Sequence, residues 1–219
     1  MPVTSVCFPP TGHDALLLEG ELWLPDGAQV TAGVVVAHPN PDMGGSMHNN
    51  VVAAICQGLH EANLASLRFN FRGVGGSTGR RTNGADEPKD LLGALAFLAA
   101  QPGITRVGLA GYSFGGRVAL AAVREAPDIA ALLCVAPPLR DGLPTRDPFA
   151  CPMLVVVGDR DRLVEGDAEA YAGRLPDPSC LRIVPGADHF WLGFEPVLIE
   201  IARDFFGRAL PSPDAAAAQ

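Results

Sequence analysis

The feature that most limits the possible folds of this chain is a regular alternation of short apolar runs with stretches of helical character. Each run has the length of a strand and is rich in Val, Leu and Ile on both faces, which is typical of buried parallel strands. The runs are Ala32 to Ala37, Leu64 to Phe71, Val107 to Ala110, Ile129 to Ala136, Met153 to Val157 and Leu181 to Val184. Two candidate strands precede them, the second around Ala15 to Leu24. The pattern predicts an α/β fold, with helices on both faces of a mostly parallel sheet.

The predicted helices fit between these runs. One begins at Asp86-Glu87-Pro88, where a proline and acidic residues suit a first turn, and ends before Gln101-Pro102-Gly103. Another is predicted over Gly116 to Glu125. The chain has 219 residues, of which 48% are hydrophobic and 18% charged. We therefore expect one globular domain over residues 1–210 and a Pro/Ala-rich tail over residues 211–219.

One connection between predicted strands is short enough to limit the architecture. Pro137 to Pro152 separate two predicted strands, and this segment is too short for a cap domain of packed helices. We therefore expect a three-layer domain without a lid, and a site open to solvent on that side.

Charge and cysteine content exclude several classes of protein. The net charge is −8, so phosphate backbones and anionic lipids are not attracted, and we expect neither a nucleic acid nor a membrane as partner. The single lysine, Lys89, follows Pro88, which excludes a Gly-Lys-Ser/Thr phosphate loop. The five cysteines are odd in number and scattered, and the first residues are neither basic nor strongly apolar. We expect reduced thiols and a cytoplasmic protein that begins at or near Met1.

The motif that carries chemistry is Gly111-Tyr112-Ser113-Phe114-Gly115, which matches G-x-S-x-G. In that motif a serine lies on a tight strand-to-helix turn, and the glycines make room for the strained backbone. Here the motif follows an apolar run and precedes a predicted helix, as the motif requires. The sequence therefore predicts Ser113 as a nucleophile at the carboxyl end of a central strand.

A serine nucleophile needs a base and a group that orients the base. His189 follows the predicted strand Leu181 to Val184, and Asp161 follows Met153 to Val157. The chain order Ser, Asp, His is that of α/β-hydrolases. Spacing alone leaves Asp159 open as an alternative acid. The loops after parallel strands share one edge of the sheet, so we expect these side chains to meet there.

Acyl transfer also needs donors for the oxyanion of the tetrahedral intermediate. The backbone N–H of Phe114, directly after the serine, is one candidate. The loop after Ala37 reads His38-Pro39-Asn40-Pro41, and proline has no N–H, which points to Asn40 as the second donor.

Other residues are assigned no catalytic or binding role. We expect His13 and His60 to be surface or packing residues, and Asp188 to shape a turn or face water. His38, His48 and Asp42 do not have metal-ligand spacing, so no metal is expected. The glycines from Gly73 to Gly79 lie too far from the next predicted helix to hold a pyrophosphate, so no cofactor is expected.

Together these segments resemble a compact serine hydrolase of the α/β-hydrolase superfamily. The resemblance extends over residues 30 to 207 and is to small bacterial predicted hydrolases, similar to dienelactone hydrolases and esterases. The segments are Gly111 to Gly116, the loop from His38 to Asn49, Phe69 to Ser77, Gly158-Asp159-Arg160-Asp161 and Asp188-His189-Phe190. The resemblance implies a triad of Ser113, Asp161 and His189. In this sequence His38-Pro39 stands where better-known lipases have His-Gly.

These observations predict a cofactor-free serine hydrolase of carboxylic esters or related small acyl compounds. An acyltransferase, thioesterase or peptidase with the same triad is an alternative, and so is a ligand-binding protein on the same scaffold. Apolar candidates for the substrate pocket are Leu139, Leu143, Phe149, Phe190 and Trp191.

Overall fold

The strands of the described residues form one eight-stranded sheet. The computed structural model describes residues 3–25, 30–125, 128–138, 151–163, 171–173, 175, 177 and 180–211. The strands are β1 (Thr4–Phe8), β2 (Leu18–Trp23), β3 (Ala32–Ala37), β4 (Ala65–Phe69), β5 (Arg106–Tyr112), β6 (Leu132–Val135), β7 (Met153–Gly158) and β8 (Leu181–Val184). Their order in the sheet is β1-β2-β4-β3-β5-β6-β7-β8. Strands β3 to β8 are mutually parallel, whereas β2 is antiparallel to both β1 and β4.

Helices cover both faces of this sheet. They are α1 (Asn50–Glu61), α2 (Glu87–Ala99), α3 (Phe114–Ala122) and α4 (Glu195–Ala209). Helix α1 packs against α4, and α2 packs against α3. Gly33 of β3 faces Leu98 of α2, whereas Gly108, which pairs with the next residue Val34, faces Phe206 of α4. Since successive residues of a strand point to opposite faces, the two helix pairs lie on opposite sides.

The predicted elements agree closely with the observed ones. Helix α2 begins at Glu87 and buries Leu91 and Leu98 against the sheet, as its apolar periodicity predicts. Helix α3 starts at Phe114, two residues before its predicted start, because it begins directly after Ser113 with no intervening turn. The fold is therefore the predicted α/β-hydrolase type.

The described residues contain no cap domain. The chain leaves β6 at Val135 and enters β7 at Met153. Leu139, Leu143 and Phe149, three of the predicted pocket residues, lie outside the described residues, and so do residues 212–219 of the predicted tail. The five cysteines are all described, and none is paired with another. In the described part of the chain, no helix has the length and apolar character needed to cross a membrane.

Candidate active site

Ser113 lies at the sharp turn between β5 and α3. Its backbone has φ 52° and ψ −114°, a conformation that non-glycine residues rarely adopt and that costs of order 1–3 kcal/mol. The Ser113 N–H donates to Val135 O at 2.8 Å, which fastens the turn to the end of β6. A serine before a helix usually caps it with its hydroxyl, but Ser113 makes no such bond. Its hydroxyl is therefore free to act elsewhere.

The two glycines of the motif make this turn possible. A Cβ at Gly111 would lie 2.5 Å from the carbonyl carbon of Gly115, inside the turn itself. A Cβ at Gly115 would lie 2.5 Å from Ala37 O and 2.6 Å from His38 O. Any side chain at either position would collide with backbone. The glycines also let the first turn of α3 approach the loop that follows β3.

The structure brings Ser113, His189 and Asp161 together. Ser113 Oγ lies 3.0 Å from His189 Nε2, and His189 Nδ1 lies 2.7 Å from Asp161 Oδ2. The carboxylate accepts a hydrogen bond, so Nδ1 carries the ring proton and Nε2 is the acceptor that faces the serine hydroxyl. The His189 side chain is 11% exposed and that of Asp161 only 1%. The imidazole is thus open to a substrate while its carboxylate partner is kept from water.

Close packing between the loops that follow β7 and β8 sets the positions of Asp161 and His189. Gly158 ends β7 directly against the backbone of Ala187, leaving no room for a Cβ, and the Arg160 N–H donates to Ala187 O at 3.0 Å. Asp159 turns the other way, and its Oδ1 accepts from the Gly186 N–H at 2.7 Å. Asp161, and not the alternative Asp159, therefore lies against the imidazole.

Two further side chains hold the histidine loop, and sequence reasoning gave only one of them a role. Asp188 Oδ1 accepts from the Phe190 and Trp191 N–H groups at 2.9 and 3.2 Å, so it shapes the turn as expected. The hydroxyl of Tyr112 donates to His189 O at 2.6 Å. Burial, together with the charges of Asp161 and Asp188, raises the pKa of Tyr112, which keeps the phenol protonated as a donor. Tyr112 occupies a variable position of the motif, so no sequence signal marks it.

His38 fastens the loop after β3. Its Nδ1 lies 2.7 Å from Pro39 O, and its Nε2 accepts from the Phe71 N–H at 3.1 Å. Only the neutral ring with the proton on Nδ1 makes both bonds. Burial lowers the pKa of His38 from 6.5 to about 4, which favours that neutral form. His38 thus ties the loop to the segment after β4, with both ring nitrogens in use.

The candidate oxyanion donors are the backbone N–H groups of Asn40 and Phe114. Asn40 uses its side chain to accept from the Asp42 N–H at 2.9 Å, and its carbonyl accepts from Met43 and Gly45. Among the described residues, the backbone N–H groups of Asn40 and Phe114 donate to no protein acceptor. Both remain available to a bound oxygen atom.

The glycine-rich segment after β4 is packed against the chain itself. The Gly76 N–H donates to Glu19 Oε1 at 2.7 Å, and a Cβ at Gly75 or Gly76 would collide with the Glu19 carboxylate. A carboxylate occupies the place that a phosphate would need, so the residues do not fit a dinucleotide. Within the described ranges, no group of three or more His, Cys, Asp or Glu side chains is placed to hold a metal ion.

The contacts of the remaining histidines are with residues other than Ser113, Asp161 and His189. His60 stacks on Trp23, with ring centroids 3.9 Å apart, and its Nε2 lies 2.9 Å from Ser66 Oγ. His48 is exposed, and its N–H lies 3.4 Å from Ser46 Oγ. His13 lies in a turn between β1 and β2.

Comparison with known proteins agrees with the fold. Residues 30–195 match the family described as alpha/beta hydrolase domain. An uncharacterised protein of Rickettsia prowazekii is 33% identical over 168 residues, which is 72% of this chain and 71% of that protein. The chain therefore belongs to the α/β hydrolase family, and the predicted resemblance is confirmed.

Two solved structures are similar over almost the whole chain. An alpha-beta serine hydrolase homologue from Coxiella burnetii has a TM-score of 0.79 and 32% identity, covering 93% of this chain and 97% of its own. XC6422 from Xanthomonas campestris, described as an a/b serine hydrolase without lid, has a TM-score of 0.81 and 29% identity, covering 97% and 98%. Family and neighbours together support a hydrolase activity for this chain.

Proposed function

We propose that this protein is a serine hydrolase that cleaves carboxylic esters through an acyl-enzyme on Ser113. The observation that carries the proposal is the continuous hydrogen-bonded line from Ser113 Oγ to His189 Nε2, at 3.0 Å, and from His189 Nδ1 to Asp161 Oδ2, at 2.7 Å. This arrangement supplies a nucleophile, a base for its proton and a carboxylate that fixes the imidazole tautomer.

The reaction proceeds in two halves. His189 Nε2 takes the hydroxyl proton while Ser113 Oγ attacks the ester carbon, and Asp161 stabilises the imidazolium that forms. The tetrahedral intermediate collapses when the ester C–O bond breaks, and the leaving alcohol takes the proton from His189. Water then attacks the acyl-enzyme by the same route, which releases the acid and restores the Ser113 hydroxyl.

The N–H groups of Phe114 and Asn40 are proposed to bind the oxyanion. Phe114 is the first residue of α3, so the positive end of the helix dipole adds to its donor. Donors aimed at the developing charge are typically worth about 10²–10³ in kcat each. The bond from His38 to Phe71 holds the Asn40 loop in place, so little reorganisation is needed when charge develops.

The same chemistry would serve a thioester, an amide or a competing alcohol acceptor. The neighbour from Xanthomonas campestris, described as a serine hydrolase, and that from Coxiella burnetii, described as a serine hydrolase homologue, favour hydrolysis over transfer. The 3.0 Å contact between Ser113 and His189 favours a catalytic protein over a ligand-binding one.

A fluorophosphonate probe, which phosphonylates activated serines, tests the assignment. We expect native protein to be labelled at Ser113 and Ser113→Ala to stay unlabelled. Ser66→Ala is the matched control, because Ser66 Oγ also lies close to a histidine Nε2, at 2.9 Å. Absence of labelling in native protein, or labelling that persists in Ser113→Ala, would disprove the proposal.

A further inference from the structure

Several exposed apolar side chains lie in the loops that carry the candidate catalytic groups. Met43, Leu163, Phe190 and Leu192 are 71%, 46%, 51% and 74% exposed, in the loops after β3, β7 and β8. Phe190 is the aromatic residue among these four, and its ring packs against the imidazole of His189. Its centroid lies 5.9 Å from that of His189, and the two ring planes are at 89°. An apolar surface therefore begins at the edge of the proposed base.

Phe190 is exposed, but its backbone is held firmly. Its N–H donates to Asp188 Oδ1 at 2.9 Å, and its carbonyl accepts from Asn50 Nδ2 at 3.2 Å. The same Asn50 Nδ2 donates to Glu195 Oε1 at 3.0 Å, which links the loop to α4. Fixed backbone on both sides of the residue limits where the ring can go. A ring held in this way binds a ligand at a smaller entropic cost than a mobile one.

Burial distinguishes Phe190 from its neighbour. Trp191 is fully buried and belongs to the core, whereas half of the Phe190 side chain faces solvent. An exposed aromatic ring gains little from folding. Its position beside the imidazole gives it a surface that a substrate can cover.

Proton transfer decides which part of an ester lies next to this ring. The leaving oxygen must come within hydrogen-bond reach of His189 Nε2 to receive its proton. The carbonyl oxygen is directed instead to Phe114 and Asn40. The group carried by the leaving oxygen therefore lies beside the imidazole ring against which Phe190 packs.

From this arrangement we propose that Phe190 determines specificity for the alcohol part of the substrate, and that the preferred substrates are esters of phenols or other aromatic alcohols. The inference rests on the proposed serine hydrolase function. An aromatic leaving group would pack against the Phe190 ring while its oxygen takes the proton from His189. Aromatic pairs add to simple area burial, so the contact favours an aryl group over an alkyl group of similar size.

The test uses two ester series with Phe190→Ala. In the first series the acyl group is fixed as acetate and the alcohol is methanol, butanol or phenol. In the second the alcohol is fixed as phenol and the acyl group lengthens from acetate to octanoate. We expect the substitution to lower kcat/KM for phenyl acetate about tenfold more than for methyl acetate. Across the phenyl series we expect one common factor, independent of acyl length.

The rate of deacylation is a second readout. A general disturbance of the site would change this rate, whereas loss of a contact with the alcohol group would not. The acetyl-enzyme is the same whichever alcohol has left, so its hydrolysis rate, measured after a burst, should be unchanged in Phe190→Ala. Phe190→Tyr, which keeps the ring, should restore the preference for phenyl acetate. Leu192→Ala, an exposed apolar side chain of the same loop, is the matched control and should leave the selectivity at the wild-type value.

The outcomes separate this inference from the proposed function. An equal loss for all three acetates, or a loss that grows with acyl length, overturns the role of Phe190 while Ser113 still reacts with the fluorophosphonate. Failure of native protein to react with the probe overturns the serine hydrolase itself. A Phe190→Ala variant that reacts with the probe at the wild-type rate has an intact site, so its selectivity is interpretable.

Discussion

Two regions of this molecule each place a serine hydroxyl against a histidine. Ser113 Oγ lies 3.0 Å from His189 Nε2 at the carboxyl edge of the sheet, and Ser66 Oγ lies 2.9 Å from His60 Nε2 between β4 and α1. By distance alone the pairs are equivalent. The comparison therefore shows what, beyond a short contact, makes a serine a candidate nucleophile.

The differences lie in the surroundings of each pair. Asp161 accepts from Nδ1 of His189, whereas the ring of His60 stacks on Trp23, and no carboxylate of the described chain bonds to it. Burial and the nearby charge of Arg68 lower the pKa of His60, so it takes up a proton less readily. Ser66 is 3% exposed within a regular strand, whereas Ser113 has a strained backbone at a strand end. An orienting carboxylate and presentation to a substrate separate the two pairs.

Removing the carboxylate that bonds to His189 should cause the largest loss of activity. Asp161→Asn keeps the shape of the side chain but no longer holds the His189 proton on Nδ1. We expect kcat for ester hydrolysis to fall by about 10⁴. Steady-state kinetics measure this, with Asp159→Asn as control, because an amide oxygen at 159 still accepts from Gly186. A larger loss in Asp159→Asn than in Asp161→Asn would reverse the assignment.

His38 extends the comparison to a histidine that bonds only to backbone. Its pKa is about 4 in the folded chain, against 6.5 for an unperturbed histidine, so between these pH values the unfolded chain binds more protons. The free energy of unfolding should therefore fall as pH is lowered from 6.5 to 4, by up to about 3 kcal/mol from this residue. Urea unfolding at several pH values measures the slope of the unfolding free energy against pH. We expect a shallower slope in His38→Gln and an unchanged one in His48→Gln, which alters an exposed side chain.

Loosening the histidine loop should produce a moderate effect. Tyr112→Phe removes the hydroxyl that donates to His189 O and leaves the ring in place. A net contribution near 1 kcal/mol for such a bond corresponds to a loss of about fivefold in kcat. The rate should fall for every ester alike, because the substitution acts through the position of His189. A change of selectivity between methyl and phenyl acetate would contradict this positioning role.

The second pair should tolerate substitution with almost no change in activity. We expect Ser66→Ala and His60→Gln to keep kcat/KM within about twofold, since neither residue contacts the candidate site. Loss of the buried hydrogen bond should lower Tm by about 3 °C. Thermal unfolding and ester kinetics on the same samples test both expectations. A hundredfold loss of activity in either variant would mean that the two pairs are coupled.

Much of this architecture was predictable because it depends on local pattern. The observed bounds of β3 and β8 coincide with two apolar runs, Ala32 to Ala37 and Leu181 to Val184. Strand β3 is buried along its whole length and therefore needs an unbroken apolar run, whereas β8 lies at the edge of the sheet and buries only Val184. The motif around Ser113 was visible for a similar reason, because the close approaches at Gly111 and Gly115 allow no side chain.

Other features depend on contacts between distant segments. Tyr112, His38 and Phe190 meet their partners through the fold, and no periodicity or spacing marks them. Helix α3 starts two residues before the predicted Gly116, because no turn intervenes between Ser113 and the helix. Positive φ at Ser113 lets the helix begin at once, and that strain is held by packing against β6 and the loop after β3.

The sequence by itself determined the α/β class, the family resemblance and the chain order of Ser113, Asp161 and His189. These features depend on apolar patterns and glycine positions within short segments of neighbouring residues. Only the tertiary structure decided which aspartate faces the imidazole of His189, which of two serine–histidine pairs has a carboxylate behind it, and that an aromatic ring lies beside that imidazole. The first two depend on how the ends of β7 and β8 pack at Gly158 and Ala187, and the third depends on the bond from Asn50 to the Phe190 carbonyl. A contact between remote segments leaves no signature in either segment alone.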